Sequence, residues 1–326
     1  IKKIEDVLEE NNEKLKKLRE DYVKAMVIFI ERQKERNKYA RVRRSAESNH
    51  RNNIEYANKM FELINPRDVQ EMKNFINSDK EKHKKELIVI NEIEKNLSGI
   101  TYNENTDTLF AITNSPRDIY ELDKSGNILR KISLKGFKDT EDITYIKDNI
   151  FAILDEELSS FFIVEIDNNT KVVYRENSLK EFNIDYRYFE NFGLEGISYD
   201  NVEDKFYIVN ERNPKKIISI KGFMTDSNIK INDKEELDFN NVYLSDFSAI
   251  HFDKVMRRLY ILSDESKILG RVDDKKKFSK YLDLSNDKIS SQMTNPEGIT
   301  KDKEGNFYIV GEPNLFLSIK RDKVLN

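Results

Sequence analysis

The chain has 326 residues, 38% hydrophobic and 36% charged, with 19 Phe and 15 Tyr, which is enough for a sizeable core and too aromatic for wholesale disorder. Its 60 acidic and 56 basic residues leave a net charge of −4, which gives no electrostatic footprint for nucleic acid. There is no cysteine and there are three histidines, His50, His83 and His251; disulfides, thiolate metal sites, cysteine nucleophiles and a three-histidine metal centre within the repeats below are therefore excluded.

Residues 1 to 85 contain one proline, Pro66, no glycine, and dense Glu, Lys and Arg, so they read as helix. Ile1, Leu8, Leu15, Tyr22 and Phe29 recur every seven residues, with Ile4, Leu18 and Ala25 three residues on and Asn11 as the interruption. This stripe is expected to pack either in a helical hairpin or bundle with later segments such as "NIEYANKMFELI", or against a partner helix in a self-associating coiled coil. The cluster Arg41, Arg43, Arg44 and Arg51 reads as a solvated helix face rather than an anion site. The apolar run "VKAMVIFI" is about a third of the ~20 residues a bilayer crossing needs, so no membrane span is expected in this chain. Because it opens on Ile1 rather than Met, an export signal or upstream anchor is expected to precede it.

Beyond residue 86 the hydrophobic period changes to two. Five heptapeptides align without gaps: "LSGITYN" from 97, "TEDITYI" from 140, "LEGISYD" from 194, "FSAIHFD" from 247 and "PEGITKD" from 296. Their central isoleucines, Ile100, Ile143, Ile197, Ile250 and Ile299, are 43, 54, 53 and 49 residues apart, the repeat length of four-stranded propeller blades. A second set follows, "LFAITNS", "IFAILDE", "KFYIVNE", "RLYILSD" and "NFYIVGE", with turn-like residues between, so each unit begins with an antiparallel hairpin. Third strands are expected at "IYELD", "FFIVEID", "KIISI", "ILGRVD" and "LFLSIK". Fourth strands are expected at "ILRKISL", "KVVYREN" and "KYLDL", with a less clear candidate around "IKIND". The fifth unit lacks a fourth strand, which "ELIVINEI", residues 86 to 93, is expected to supply, closing the ring without a long free edge. The expected fold is an all-β five-bladed propeller over residues 86 to 326, preceded by an α-helical region over residues 1 to 85; a six-bladed ring would need a sixth copy of the motifs.

In a propeller the first strand of each blade lines the central channel and the second returns beside it. The start of strand one and the end of strand two therefore share a face. The strand-one starts supply Glu141, Glu195 and Glu297, with Ser98 and Ser248 in the other blades. The strand-two ends supply Asn114 and Ser115, Asp155 and Glu156, Asn210 and Glu211, Asp264 and Glu265, and Glu312. Such a ring of carboxylates and amides is the hard-oxygen donor set that suits Ca²⁺ first and Mg²⁺ second. The plainer alternative is that these acids cap loops or pair with Arg117, Arg212 and Arg271.

The two motif sets, together with "SGITYNENTDTLFAITNSPRDIYELDKSGNILRKISLKGF", the "SDES" at 263 and the "GEPNLF" at 311, resemble the SdiA-regulated, YjiK-type β-propeller family over residues 86 to 326. The resemblance implies a bacterial five-bladed propeller of the periplasm or cell envelope, carried behind an amino-terminal anchor and associated with calcium binding. Carried over by motif, it implicates Glu195, Glu211, Glu297 and Glu312, with Asp264 and Glu265. The chain departs from the family's acid-Gly-Ile pattern at Ser98, at Ser248 and at "EDI", so those blades are expected to supply fewer ligands. The resemblance supplies no reaction.

The expected function is an envelope-associated, calcium-binding module that presents a face to a protein partner or small ligand, with the helices serving assembly or partner contact and no catalytic residue assigned. The alternative is a metal-dependent hydrolase of the lactonase or phytase-like kind, with the metal polarising the bond. His251 could act as its base, although a lone strand histidine where other blades hold Thr or Ser reads more simply as a packing residue. No Gly-x-Ser-x-Gly elbow and no phosphate-cradling glycine loop accompany it.

Overall fold

Alternating apolar and polar residues form short strands here, and the turn residues between them form hairpins. The computed structural model describes residues 83–184, 193–212, 215–232, 235, 237–239, 244–273 and 276–321. The helical expectation for residues 1 to 85 lies outside the described residues as far as residue 82; residues 83 to 85 are instead strand, so the closing strand runs His83–Val89 rather than over 86 to 93, because its pairing with the last strand extends to Arg321.

Strand β1 (His83–Val89) comes first in the chain. Blade one holds β2 (Leu97–Asn103), β3 (Thr108–Asn114), β4 (Arg117–Leu122) and β5 (Ile128–Lys135). Blade two holds β6 (Thr140–Lys147), β7 (Ile150–Asp155), β8 (Ser160–Glu165) and β10 (Lys180–Asn183). Blade three holds β11 (Leu194–Asp200), β12 (Lys205–Asn210), β13 (Lys216–Lys221) and β14 (Lys230–Asn232). Blade four holds β15 (Ala249–Asp253), β16 (Arg258–Ser263), β17 (Ile268–Val272) and β18 (Phe278–Asp283). Blade five holds β19 (Asn295–Lys301), β20 (Phe307–Glu312) and β21 (Leu315–Arg321), and takes its outermost strand from β1. That pairing is antiparallel, with His83 opposite Arg321 and Val89 opposite Leu315. The first strands β2, β6, β11, β15 and β19 contact one another in order, and β19 contacts β2, which closes a five-bladed ring.

One expected strand is corrected. "KVVYREN" does not form the fourth strand of blade two: β9 (Val172–Tyr174) lies parallel to β5 as a fifth strand on blade one. Val173 is buried there in the seam between blades one and two, and Arg175 Nε donates to the Gly136 carbonyl at 2.8 Å. The chain then returns, and β10 pairs with β8 as the true fourth strand. The run Val172-Val173 is too short for periodicity to say which neighbour it joins.

The apolar core lies in the seams between blades. Each repeat isoleucine fills one of them: Ile100 between blades five and one, Ile143 between one and two, Ile197 between two and three, Ile250 between three and four, Ile299 between four and five. Aromatic pairs cross the same seams, Phe110 to Phe151 at 4.8 Å and Phe161 to Phe206 at 4.7 Å between ring centroids.

The residues flanking each isoleucine explain the rest of the motif. The preceding position must be small because the next first strand passes against it. A Cβ on Gly298 would stand 2.8 Å from the Ser98 carbonyl oxygen and 2.9 Å from the Gly99 Cα. Blade two breaks the pattern with Asp142, whose fully buried carboxylate accepts the N–H groups of Ile143 and Ile197, each at 2.8 Å, with the Ile100 N–H alongside. The following position is a hydroxyl in four blades. Thr101 Oγ1 accepts the Tyr145 N–H at 2.9 Å, Ser198 Oγ that of Phe252 at 2.8 Å, and Thr300 Oγ1 that of Tyr102 at 3.0 Å. Each of these three bonds ties one blade to the next around the axis.

A Cβ on Gly99 would stand 2.6 Å from the Asp142 Cα and 2.8 Å from the Glu141 carbonyl oxygen, and backbone cannot give way as a flexible side chain can. Gly99→Ala is expected to destabilise the ring by about 1–3 kcal/mol, read as a lower urea midpoint with an unchanged slope. An unaltered midpoint would show that the blades are not held this closely at the axis.

Candidate functional site

The acids at the strand-one starts are aimed by a local irregularity of the backbone. In β2, β6, β11 and β19 the pairing register slips across one residue, between Leu97 and Gly99, Thr140 and Asp142, Leu194 and Gly196, and Pro296 and Gly298. The skipped residues are Ser98, Glu141, Glu195 and Glu297. Each is the extra residue of a β-bulge, a device that bends a strand end and re-aims a side chain. In blade four Ser248 lies just before β15 and turns its hydroxyl to the Pro296 carbonyl at 2.9 Å.

Three carboxylates from blade two form the tightest group: Asp139, Glu141 and Glu156 offer ligand oxygens within 4.8 Å of one another. Asn114 Nδ2, from blade one, donates to Glu141 Oε1 at 3.2 Å, while the buried Asn114 Oδ1 has no hydrogen-bond partner among the described residues. Beside this group, Glu195 and Glu211 sit over Gly193, where a Cβ would stand 2.7 Å from Glu195 Oε1 and 3.3 Å from Glu211 Oε2.

These groups feel one another electrostatically. Burial, then the charges of Asp139 and Glu156, push Glu141 up to about 8. Burial with Asp139 and Glu211 raises Glu156 to about 7. Burial with Asp264 and Glu312 raises Glu297 to about 8. Glu195 is raised well above the usual carboxylate range by burial and then by Glu141, Glu156, Glu297 and Glu211, so it stands at the centre of the charge cluster. Burial also raises Glu211, against the pull of Arg212.

The remaining expected ligands are partly committed elsewhere. Asp155 accepts backbone N–H groups from Lys138 at 2.7 Å, Leu158 at 3.1 Å and Asp139 at 3.2 Å, so it caps the loop that carries Asp139. Glu265 pairs with Arg212 at 3.0 Å and Glu211 pairs with the same guanidinium at 2.7 Å. Asp264 pairs with Lys267. Glu312 ends β20 opposite Asn295, across the hairpin from Glu297. Of the arginines weighed as their partners, Arg117 instead donates to the Lys138 carbonyl at 2.8 Å and Arg271 lies over the Tyr281 ring.

Two acids of this mouth were not singled out from the sequence, Asp139 and Asp246. Asp139 stands two residues before the bulged Glu141 and Asp246 two before the equivalent Ser248, where the other blades have Asn96, Gly193 and Asn295; the spacing i, i+2 was the available signal. Asp246 is fully buried and accepts the Ser263 hydroxyl and the Asp264 N–H, so it holds the loop in place while adding its charge to those on Glu211 and Glu297.

His251 lies away from these acids. It occupies the position after Ile250, in the same layer as Thr101, Thr144, Ser198 and Thr300, beyond Asp142.

Comparison with known proteins gives a match of the SdiA-regulated family profile to residues 76–320. Among solved structures, a nidogen/laminin complex aligns at 14% identity over 67% of this chain and 73% of the other, with a TM-score of 0.43. A luciferin-regenerating enzyme aligns at 12% identity over 73% of this chain and 80% of the other, with a TM-score of 0.46. A streptogramin B lyase structure aligns at 14% over 73% of this chain and 98% of the other, with a TM-score of 0.42.

The raised carboxylates fix the sign of a pH effect. Glu141 and Glu297, at about 8 in the fold against 4.5 unperturbed, hold protons that the unfolded chain has released. Their contribution to stability is therefore complete below about 4.5, declines above it and is lost as pH rises through about 8. Without divalent cations, the melting temperature is expected to fall by on the order of 5 °C between about pH 6 and pH 9, and a Glu141→Gln plus Glu297→Gln variant is expected to lose most of that slope. A steeper fall in the variant would contradict the assignment.

Proposed function

This chain is a member of the SdiA-regulated family, and we propose that it acts as a calcium-binding propeller whose acid mouth holds the ion and presents a loaded face to a protein or small-ligand partner. The observation that carries this reading is the convergence of Asp139, Glu141, Glu156, Glu195, Glu211 and Glu297, whose charges oppose one another, with Arg212 the one base directly paired to the group among the described residues. A cation removes that repulsion. The donors suit it chemically: carboxylate oxygens, the unsatisfied Asn114 Oδ1, and no thiolate or imidazole. Asp139, Glu141, Glu156 and the Asn114 amide would form the core of the site, with Glu195 closing it from blade three. Ca²⁺ fits this flexible, carboxylate-rich set better than Mg²⁺, which demands a tighter octahedron. Asp264, Glu265 and Glu312 would contribute chiefly to the field around it, and Asp155 to the loop that carries Asp139.

An envelope location and a role for residues 1 to 85 in assembly or partner contact belong to the same proposal, supported by the family resemblance and the heptad pattern. Among the described residues, no helix is long and apolar enough to cross a membrane. For a hydrolase at the same mouth, His251 is in the wrong layer to act as base, so a carboxylate such as Glu156 would have to do so.

Saturating Ca²⁺ is expected to raise the melting temperature by about 5–10 °C, the effect of a ligand at roughly 100 times its Kd, with Mg²⁺ giving less. Glu141→Gln with Glu195→Gln is expected to abolish the rise while leaving the cation-free protein as stable or more so. A rise that survives the double change removes the ion from this mouth. The same samples, assayed on lactones and phosphoesters, decide between binding and hydrolysis: calcium-dependent turnover lost with the double change would replace the binding reading.

A further inference from the structure

The opposite mouth of the channel carries a second site of different chemistry. The first strands emerge there beyond the Asp142 layer, around a cavity of about 70 Å³, room for several waters or one small organic group. Thr101, Thr144, Ser198, Thr300, His251 and Lys254 face it.

These groups are arranged as donors. Thr101, Ser198 and Thr300 each spend a lone pair on a backbone N–H from the next blade. A hydroxyl so engaged keeps its own proton to give, and among the described residues no acceptor takes it. The Lys254 ammonium makes one hydrogen bond, to the Ile146 carbonyl at 3.4 Å, and otherwise meets Glu104 at 3.7 Å and the Tyr145 ring at 4.8 Å. Burial lowers its pKa, against the charges of Glu104 and Asp200, which favour the ammonium. His251 is held down to about 3 by burial and is uncharged, adding a ring N–H or a lone pair but no charge.

The nearby acids are already engaged. Asp253 pairs with Lys301 and accepts the N–H groups of Val255 and Met256. Asp302 accepts from Asn306 and from the Tyr308 hydroxyl. Lys303 faces Asp107 at 3.6 Å. Glu104 also lines the cavity and meets Lys254 only at 3.7 Å, so among the described residues a loosely paired ammonium stands beside several hydroxyl donors. That suits a monoanion and leaves a doubly charged phosphate undercompensated. The exposed Val255 and the Tyr145 ring supply apolar surface beside the ammonium.

We propose that this mouth binds the carboxylate of a small aliphatic monocarboxylic acid, with Lys254 as its counter-ion and the hydroxyls of Thr101, Thr144, Ser198 and Thr300 as its hydrogen-bond donors. The site shares no residue with the acid mouth, so its failure leaves the calcium reading untouched.

The test is an amide NMR titration of the full chain with butyrate, with butyramide and inorganic phosphate in parallel. Butyrate is expected to shift the amides of Tyr102, Tyr145 and Phe252 saturably, because those amides are bonded to the hydroxyls that would rotate toward the ligand. Butyramide and phosphate are expected to bind at least about tenfold more weakly. Lys254→Met and the nearly isosteric Thr144→Val are each expected to weaken butyrate, by about tenfold for the former; the latter keeps the test sound should the lysine variant fail to fold. No saturable shift with butyrate, equal binding of butyramide, or unchanged binding by both variants overturns the proposal. Tighter binding of phosphate overturns the carboxylate assignment.

Discussion

Five first strands meet around one axis at van der Waals distance, and that crowding dictates the sequence on either side of it. Where strands cross most closely only Gly, Ala or a hydrogen-bonded Asp142 is accommodated; one residue on, an isoleucine turns outward to fill a seam; one further, a hydroxyl reaches sideways to the adjacent blade's amide. Amides facing the axis have no strand to pair with there, and buried N–H groups left unbonded are costly. The hydroxyls and the Asp142 carboxylate meet that demand for the amides they reach. The repeated small-Ile-hydroxyl triplet is thus a packing solution first, and the chemistry at the two mouths is built on its ends.

The same layer divides the charges. On one side, bulged glutamates are held close in a partly desolvated setting with few bases, so protonation or a cation must relieve them. On the other, acids and lysines are paired almost one for one, Lys254 loosely with Glu104 at 3.7 Å, and hydroxyls line the cavity between them. Two ends of one set of strands therefore offer opposite chemistry.

Much of the ring was legible in the residues themselves. The two heptapeptide sets recur at blade spacing because each blade meets the same neighbours, and the pairing of Asn103 with Thr108 and of Asp200 with Lys205 follows directly from the hairpin turns between them. That Glu141, Glu195 and Glu297 share a mouth was also readable from their common offset to the isoleucine. The bulges that aim them were not, because the heptapeptides align without gaps whether a copy carries the inserted residue, as four do, or pairs regularly, as β15 does. Nor was the division among the acids: Asp155 and Glu156 are adjacent in sequence, yet one is taken by three loop amides and the other faces the cluster. Outer strands were least legible, since edge segments such as Val172–Tyr174 are short and bury one side chain only.

The pairing of β1 with β21 has a mechanical corollary. His83 lies directly across from Arg321, so the first and last described strands begin and end side by side at the rim of blade five. Tension applied between those two points would open the pair from its end like a zipper, one rung at a time. Tension between His83 and a partner held at either mouth would instead load other parts of the ring. The resistance of this propeller to pulling is therefore a property of where it is gripped.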